Sequence, residues 1–333
     1  MVRRLTAVSG QHSQILGLGA YRPRRVVGNA EICSAIDSTE EWIESRSGIR
    51  TRRFAAPDET LSAMAVAAAG KALAQAGLEP RDVGCVLMAS MSNLIQTPPL
   101  AVVVAHELGA TQAAGIDISA ACAGFCHSLA MAADMVRAGS ARHVLVVGSE
   151  RMTDIVDPAD RTISFLFADG AGAVLVGPSR TPGIGPVVRK ADGAYRDALR
   201  MNTGWAEFRA DPGLSWPAMK MDGRRVFRWA MDEVVPAARR ILEAAGLTAG
   251  DLDAFVPHQA NLRMTELMAD RLGLPERVAL ARDVINSGNT SAASIPLALE
   301  RLLAEGDAGT GDLALLLGFG AGLNYAGQVI RLP

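Results

Sequence analysis

The sequence predicts a duplicated α/β fold with parallel or mixed sheets covered by helices, and two observations support this prediction. First, strand-like runs alternate with amphipathic helical patterns along the chain. Second, the tripeptide Ala-Gly-Leu occurs at 76–78 and again at 245–247, each time between a helical pattern and a short apolar run. The copies are 247 − 78 = 169 residues apart, about half of the 333 residues. A repeat this long is typical of duplicated domains rather than of a solenoid.

We expect two halves, residues 1–180 and 181–333, with similar elements. The first half has helical patterns at 64–75 and 121–139 and strand-like runs at 84–88, 116–118 and 143–148. The second half has helical patterns at 235–245 and 292–303 and strand-like runs at 253–256, 313–318 and 323–332. Residues 190–221 are irregular and contain four aromatic side chains, so we interpret them as a loop that covers a substrate.

Composition limits the class of protein. Hydrophobic residues make up 49% and charged residues 20% of the chain, which allows a large core. The net charge of -2 predicts no basic surface for nucleic acid. No apolar stretch is long enough to cross a bilayer, and residues 1–10 lack the apolar region of a secretory signal. The four cysteines form neither a CxxC pair nor a disulfide framework, so we expect a cytoplasmic location.

Cys122 is the candidate nucleophile. It lies in ACAGF (121–125), between a strand-like run and a long alanine-rich helical pattern. The free N–H groups and the dipole at a helix N-terminus lower a thiol pKa and can bind an oxyanion. The alternative is a small buried cysteine that fills the junction between strand and helix.

His258 and Asn289 are the candidate partners of this cysteine. His258 lies in VPHQAN (256–261), directly after a strand, where a neutral imidazole can donate a hydrogen bond into a cleft. Asn289 lies in GNTSAAS (288–294), although a turn or helix cap also explains it and Asn286 is a rival. Adding the offset of 169 to Cys122 gives residue 291, two positions from Asn289. Cys122 and Asn289 therefore lie near equivalent helix starts in the two halves. If the halves pack about a pseudo-twofold axis, these helix starts meet.

ACAGF, VPHQAN, GNTSAAS and GFGAG (318–322) occur in this order and closely resemble β-ketoacyl-acyl carrier protein synthase III, a thiolase-fold condensing enzyme. The resemblance covers essentially the whole chain. Residues 36–43, 122–127 and 150–154 are similar to actinobacterial priming ketosynthases of aromatic polyketide pathways. The implied fold is thiolase-like, with duplicated α/β halves in a five-layered αβαβα arrangement. Cys122 then lies in the first half, and His258 and Asn289 in the second.

The resemblance implies that Cys122 takes an acyl group from acyl-CoA and that the acyl-enzyme undergoes decarboxylative Claisen condensation with malonyl-acyl carrier protein, giving 3-oxoacyl-acyl carrier protein. His258 and Asn289 hold the malonyl thioester oxygen, and the backbone N–H groups of Cys122 and Ala321 hold the acyl oxyanion. No metal or other cofactor is implied, since the coenzyme A thioester and the phosphopantetheinyl carrier protein are substrates.

The resemblance also implies three binding regions and a homodimer. The coenzyme A site comprises Trp42, Arg46, Arg161, Gly223, Phe227 and Asn261. The acyl pocket comprises Leu166, Phe167 and, from across the dimer interface, Thr97. Carrier-protein docking involves Arg224, Arg228, Arg263 and Arg271. Thr97 in place of a bulky aromatic side chain predicts room for a primer larger than acetyl. Asp270 departs from the basic residue common in the family, which weakens the docking prediction.

The same residues are compatible with several other functions. The same enzyme class also initiates fatty-acid synthesis from acetyl-CoA or branched acyl-CoA. Within the fold, a plant-type polyketide synthase uses Cys, His and Asn too, and some relatives transfer acyl groups to alcohols or amines without condensation. A cysteine-dependent thioester hydrolase that uses His258 as a base is a different class. A non-catalytic subunit usually lacks the cysteine.

Overall fold

A computed structural model of the chain describes residues 12–211 and 213–333; residues 1–10, considered above for a secretory signal, lie outside this part. The strands are β1 His12–Tyr21, β2 Arg25–Gly28, β3 Thr51–Phe54, β4 Cys85–Ala89, β5 Ala114–Ile118, β6 Val144–Arg151, β7 Asp169–Ser179, β8 Val188–Ala191, β9 Leu199–Met201, β10 Met219–Met221, β11 Ala254–Pro257, β12 Ala279–Leu280, β13 Leu313–Gly320 and β14 Asn324–Arg331. The helices are α1 Asn29–Ile36, α2 Glu40–Ser47, α3 Leu61–Ala76, α4 Leu100–Leu108, α5 Gly124–Ala138, α6 Trp205–Ala210, α7 Gly223–Trp229, α8 Val235–Ala245, α9 Leu262–Leu272, α10 Val284–Ser287 and α11 Ser294–Glu305.

The described residues form two five-stranded mixed sheets with the same topology. The first sheet has the order β1-β7-β6-β4-β5 and the second has the order β8-β14-β13-β11-β12. In each sheet, the three strands at one end, β6-β4-β5 or β13-β11-β12, pair in parallel. The remaining two pairings of each sheet, which involve β7 or β14, are antiparallel. Equivalent positions in the two strand orders relate β6 to β13 and β7 to β14.

The helices form three layers around the two sheets. Helices α3 and α4 pack on the outer face of the first sheet, and α8 and α9 pack on the outer side of the second. Helices α5 and α11 contact strands of both sheets and form the central layer. The predicted five-layered αβαβα arrangement is therefore confirmed.

Local sequence explains why these elements form. Strands β4 and β6 are almost continuously apolar and buried, as expected for central strands covered by helices on both faces. Helix α3 begins after Thr60, whose hydroxyl accepts a hydrogen bond from the Ala63 N–H, and it ends at Gly77 in the left-handed conformation. The predicted positions of the main helices are thus close to the observed ones.

Two segments differ from the prediction. The helix expected at 121–139 begins with a 3₁₀ turn, Ala121–Ala123, and continues as α5 from Gly124. The left-handed conformation of Ala121, with φ of 47°, separates this turn from the preceding strand. Residues 190–221 are more regular than expected, since β9 and β10 pair with each other and α6 lies between them. Within the described ranges, we find no helix that could cross a bilayer.

Candidate active site

A cavity of about 650 Å³ extends from exposed arginines on α7 and α9 to three buried polar side chains. These are Cys122, His258 and Asn289, each at most 5% exposed. The two halves of the fold both contribute to this wall, because Cys122 comes from the first half and the other two from the second. The structure therefore brings the three sequence candidates together in one cavity.

Cys122 lies in the middle of the 3₁₀ turn that precedes α5. The end of β13 approaches this turn so closely that a Cβ atom on Gly320 would lie 2.8 Å from the Cys122 Cβ and 3.0 Å from its amide nitrogen. Only glycine allows this approach. Burial raises the pKa of the Cys122 thiol to about 12, with smaller influences from Ser291, which lowers it, and Glu150, which raises it. The position at a helix start predicted a lowered thiol pKa, but desolvation of the thiolate outweighs the influence of the helix N-terminus.

His258 follows β11, and its backbone N–H donates to Leu317 O at 2.8 Å. Its Nδ1 lies 2.8 Å from Ser294 Oγ, the first residue of α11, and Gln259 N–H donates to the same oxygen at 3.3 Å. The Ser294 hydroxyl can accept from Gln259 and donate its own hydrogen to Nδ1, and this arrangement places the imidazole hydrogen on Nε2. Burial lowers the pKa of His258 to about 3, which keeps the ring neutral.

Asn289 is fixed by its backbone and by its side chain. Its N–H donates to Leu166 O at 2.8 Å, and its carbonyl accepts from Ala168 N at 2.9 Å. Its Oδ1 accepts from Ser291 N at 2.9 Å, so its Nδ2 remains a donor. The rival Asn286 is exposed and does not line the cavity. The structure thus favours Asn289 as the residue of the site.

Glu150 is a buried carboxylate near the site that the sequence analysis did not single out. It accepts hydrogen bonds from Ser92 Oγ at 2.5 Å, from Ser90 Oγ at 3.1 Å and from Ala292 N at 3.4 Å. Burial raises the pKa of this carboxyl group. A charged residue two positions after the apolar run 144–148 is the sequence signal that marks it. The carboxylate links the first sheet to the turn before α11.

The predicted coenzyme A residues lie near the outer part of the cavity. Arg46, Gly223, Phe227 and Asn261 line the cavity. Trp42 and Arg161 do not line it, but they contact each other nearby. The Arg161 guanidinium lies 5.1 Å from the Trp42 ring centroid, and the Arg46 guanidinium lies 5.7 Å from it.

The remaining predicted residues are divided between two cavities and the surface. Leu166, Phe167, Arg224, Arg228, Arg263 and Arg271 line the main cavity. Ala321 lines a second cavity of about 550 Å³, whose wall also includes Ala120 and Ala121. Thr97 lines neither of these two cavities, and Asp270 is exposed beside Arg271. In the part of the chain that the structure describes, no cluster of three His, Cys, Asp or Glu residues is arranged to hold a metal ion.

Comparison with known proteins agrees with this geometry. A family model described as 3-oxoacyl-[acyl-carrier-protein] synthase III matches residues 116–193, and the model of its C-terminal part matches residues 242–332. The chain is 59% identical to a β-ketoacyl-[acyl-carrier-protein] synthase III of Streptomyces lividans over 96% of this chain and 95% of that protein.

Solved structures are similar over nearly the whole chain. The crystal structure of the priming β-ketosynthase from the R1128 polyketide biosynthetic pathway matches with a TM-score of 0.97 and 58% identity, covering 99% of this chain and 98% of that one. The 3-oxoacyl-[acyl-carrier-protein] synthase III of Aquifex aeolicus VF5 matches with a TM-score of 0.88 and 34% identity, covering 96% and 99%. These similarities confirm the thiolase-like fold.

Proposed function

This chain belongs to the 3-oxoacyl-[acyl-carrier-protein] synthase III family, and from that premise we propose that it primes an aromatic polyketide with an acyl-CoA larger than acetyl-CoA. It is an acyltransferase-class condensing enzyme, a β-ketoacyl-acyl carrier protein synthase III. The observation that carries the proposal is the single cavity that contains Cys122, His258 and Asn289. The 58% identity to a priming ketosynthase supports the polyketide pathway.

The first step is transfer of the acyl group from coenzyme A to Cys122. The sulfur attacks the thioester carbonyl, a new C–S bond forms, the bond to coenzyme A breaks, and the thiol proton ends on the released coenzyme A. Negative charge develops on the carbonyl oxygen, where the backbone N–H groups of Cys122 and Ala321 stabilise it. Leu166 and Phe167 contact the acyl chain.

The second step is condensation with malonyl-acyl carrier protein. The malonyl group loses carbon dioxide, and the electron pair of the broken C–C bond forms an enolate. The His258 Nε2–H and the Asn289 Nδ2–H donate to the enolate oxygen. The enolate carbon then attacks the acyl-cysteine, and the Cys122 sulfur leaves and takes up a proton. Two neutral donors suit this step, since decarboxylation requires stabilisation of negative charge and no proton abstraction.

The outer cavity has the composition expected for coenzyme A and an acidic carrier protein. Trp42, flanked by the cationic side chains of Arg46 and Arg161, provides a ring on which an adenine can stack. Gly223, Phe227 and Asn261 line the path toward Cys122. The exposed residues Arg224, Arg228, Arg263 and Arg271 supply positive charge at the opening, and Asp270 reduces it locally.

The edge of the first sheet supports the homodimer. β5 is the last strand of that sheet, and its Ile116 side chain is 41% exposed. Val102 on α4, the helix that packs on β5, is 45% exposed. An unpaired strand edge with exposed apolar side chains is suited to pairing with a second copy. In such a dimer, Thr97 reaches the acyl pocket of the partner.

The proposed function is tested by mass spectrometry of the intact protein after incubation with acetyl-, propionyl-, butyryl- and branched acyl-CoA. We expect one acyl group per chain, located on the Cys122 peptide, with faster labelling by the longer chains than by acetyl-CoA. Addition of malonyl-acyl carrier protein should discharge the acyl group as 3-oxoacyl-acyl carrier protein. Preference for acetyl-CoA would instead indicate fatty-acid initiation. No adduct, or release of free acid without malonyl, would contradict the proposal.

A further inference from the structure

The side-chain amide of Asn324 connects the two backbone segments that border the nucleophile. Its Nδ2 lies 2.5 Å from Ala321 O and 3.5 Å from Ala120 O. Ala120 directly precedes the 3₁₀ turn that contains Cys122, and Ala321 directly follows β13. Asn324 is itself tied to this region, because it pairs with Gly320 across the β13–β14 hairpin.

The two carbonyl groups determine how this amide is oriented. A carbonyl oxygen only accepts hydrogen bonds, so the atom that faces Ala120 and Ala321 is the NH₂ group, whose two hydrogens serve two acceptors. The Asn324 oxygen then faces His127, whose Nε2 lies 3.2 Å away. Because Oδ1 is an acceptor, the imidazole hydrogen of His127 lies on Nε2 and is donated to Asn324.

His127 connects the amide to the helix that carries the nucleophile at its start. It lies in the first turn of α5, directly after the Cys122 turn. Burial lowers the pKa of His127, and its contact with Asn324 opposes this effect, so a neutral ring with one N–H is the stable form near pH 7. The resulting chain of hydrogen bonds runs from α5 through His127 and Asn324 to the carbonyls of Ala120 and Ala321.

We propose that Asn324 and His127 are positioning residues that hold the backbone N–H groups of Cys122 and Ala321 at the separation that acyl transfer requires. The inference rests on the proposed function, because those N–H groups matter only if an acyl oxyanion forms there. One carbonyl held by Asn324 belongs to Ala321, which itself supplies an N–H donor. The other belongs to Ala120, directly before the turn that contains Cys122. Loss of the amide hydrogens frees both segments and weakens charge stabilisation without removing the nucleophile.

Asn324→Asp is the sharpest variant, since it keeps the shape of the side chain and replaces the two hydrogens with an oxygen that faces two carbonyls. We expect the single-turnover rate of Cys122 acylation to fall by about 10- to 100-fold, less than the loss of a whole oxyanion donor. The KM for the acyl-CoA should change by less than about twofold, as should the rate of Cys122 alkylation by iodoacetamide, because alkylation forms no oxyanion.

His127 supplies an independent test if Asn324→Asp folds poorly. His127→Ala should slow acylation about tenfold, and His127→Gln should retain most of the rate, because its amide can donate to Asn324 in the same way. Equal losses of acylation and alkylation, or unchanged acylation in both Asn324→Asp and His127→Ala, would overturn the inference. Absence of acylation in the wild-type protein would contradict the proposed function and would remove this inference with it.

Discussion

The short turns that precede α5 and α11 occupy equivalent positions in the two halves, yet they present different groups to the cavity. Both turns are 3₁₀ helices, Ala121–Ala123 and Ser291–Ala293. Each begins with a left-handed residue, with φ of 47° at Ala121 and 48° at Ser291. The offset is 291 − 121 = 170 residues, so Ala292 occupies the position of Cys122. The backbone is duplicated, and the side chains have diverged.

The strand next to each turn shows how they diverged. Gly320 at the end of β13 has no side chain, which leaves room for Cys122 against the strand. The equivalent residue of β6 is Glu150, at 320 − 170, and its carboxylate accepts the Ala292 N–H. The first turn therefore has space beside the Cys122 sulfur, where we propose that the acyl oxyanion forms. The second turn is occupied by a carboxylate that fixes the backbone.

The residues that contact the first residues of α5 and α11 differ in a similar way. A Cβ atom on Gly124, the first residue of α5, would lie 3.0 Å from Ala89 Cβ, so both residues are small. The equivalent pair in the second half is Ser294 and His258, which are hydrogen-bonded at 2.8 Å. In our proposal, one copy of the duplicated frame carries the nucleophile, and the other carries the neutral donors.

Cys122→Ala should have the largest effect and abolish both acylation and condensation, because no other group in the turn can form a thioester. Intact mass spectrometry with an acyl-CoA measures the first activity, and product analysis after addition of malonyl-acyl carrier protein measures the second. Cys126→Ala is the matched control, since Cys126 is buried in α5, four residues after Cys122. Acylation of the Cys122→Ala protein would show that the nucleophile lies elsewhere.

His258→Ala should leave acylation of Cys122 within about threefold of wild type and reduce malonyl decarboxylation by about 10²- to 10³-fold, the cost of one oxyanion donor. Ser294→Ala should reduce decarboxylation by about tenfold, because Nδ1 loses the partner that orients the ring. Release of carbon dioxide from labelled malonyl-acyl carrier protein measures both. If Ser294→Ala slowed acylation instead, the assignment of this pair to condensation would be wrong.

Gly320→Ala should slow acylation by about tenfold or more and destabilise the fold by about 1–3 kcal/mol, since the added methyl group overlaps the Cys122 turn. Gly148→Ala is the comparison in the other half, where a Cβ atom would lie 2.5 Å from Ala292 O. We expect it to lower the midpoint of thermal unfolding similarly and to affect acylation less. Equal effects of both variants on acylation would argue against a special role for Gly320.

His258 should also make stability depend on pH. Its pKa of about 3 in the folded protein lies below the ordinary 6.5, so the unfolded chain binds more protons between these values. The contribution of His258 to the free energy of unfolding is therefore greatest above pH 6.5 and decreases as the pH falls. Between pH 6.5 and pH 5 the loss due to His258 is about 2 kcal/mol. Urea denaturation of wild type and His258→Asn at both pH values isolates this contribution, and parallel curves would show that His258 is not desolvated.

The fold was largely predictable from sequence, because the repeat and the alternating patterns directly reflect buried faces. The central strands and α8 lie close to where the sequence places them. The 3₁₀ turn at Ala121 could not be predicted, since its left-handed conformation depends on contacts with β13 and on the geometry of the duplicated frame. Alanine itself does not favour that conformation.

The candidate site was only partly predictable, for a different reason. Short motifs around Cys122 and His258 mark loops that carry chemistry. The partner that orients His258, however, is Ser294, 36 residues later in the chain, and spacing gives no sign of it. The thiol pKa was misjudged because the sequence shows the helix start but not the burial, and burial is the larger influence.

We propose that the first turn is acylated and that the donors of the second half drive decarboxylation. Asn289→Ala tests it most directly when acylation of Cys122 and release of carbon dioxide are measured on the same sample. We predict that the variant forms the acyl-enzyme at close to the wild-type rate and releases carbon dioxide at least about 100-fold more slowly. Loss of acylation with decarboxylation retained would contradict the account.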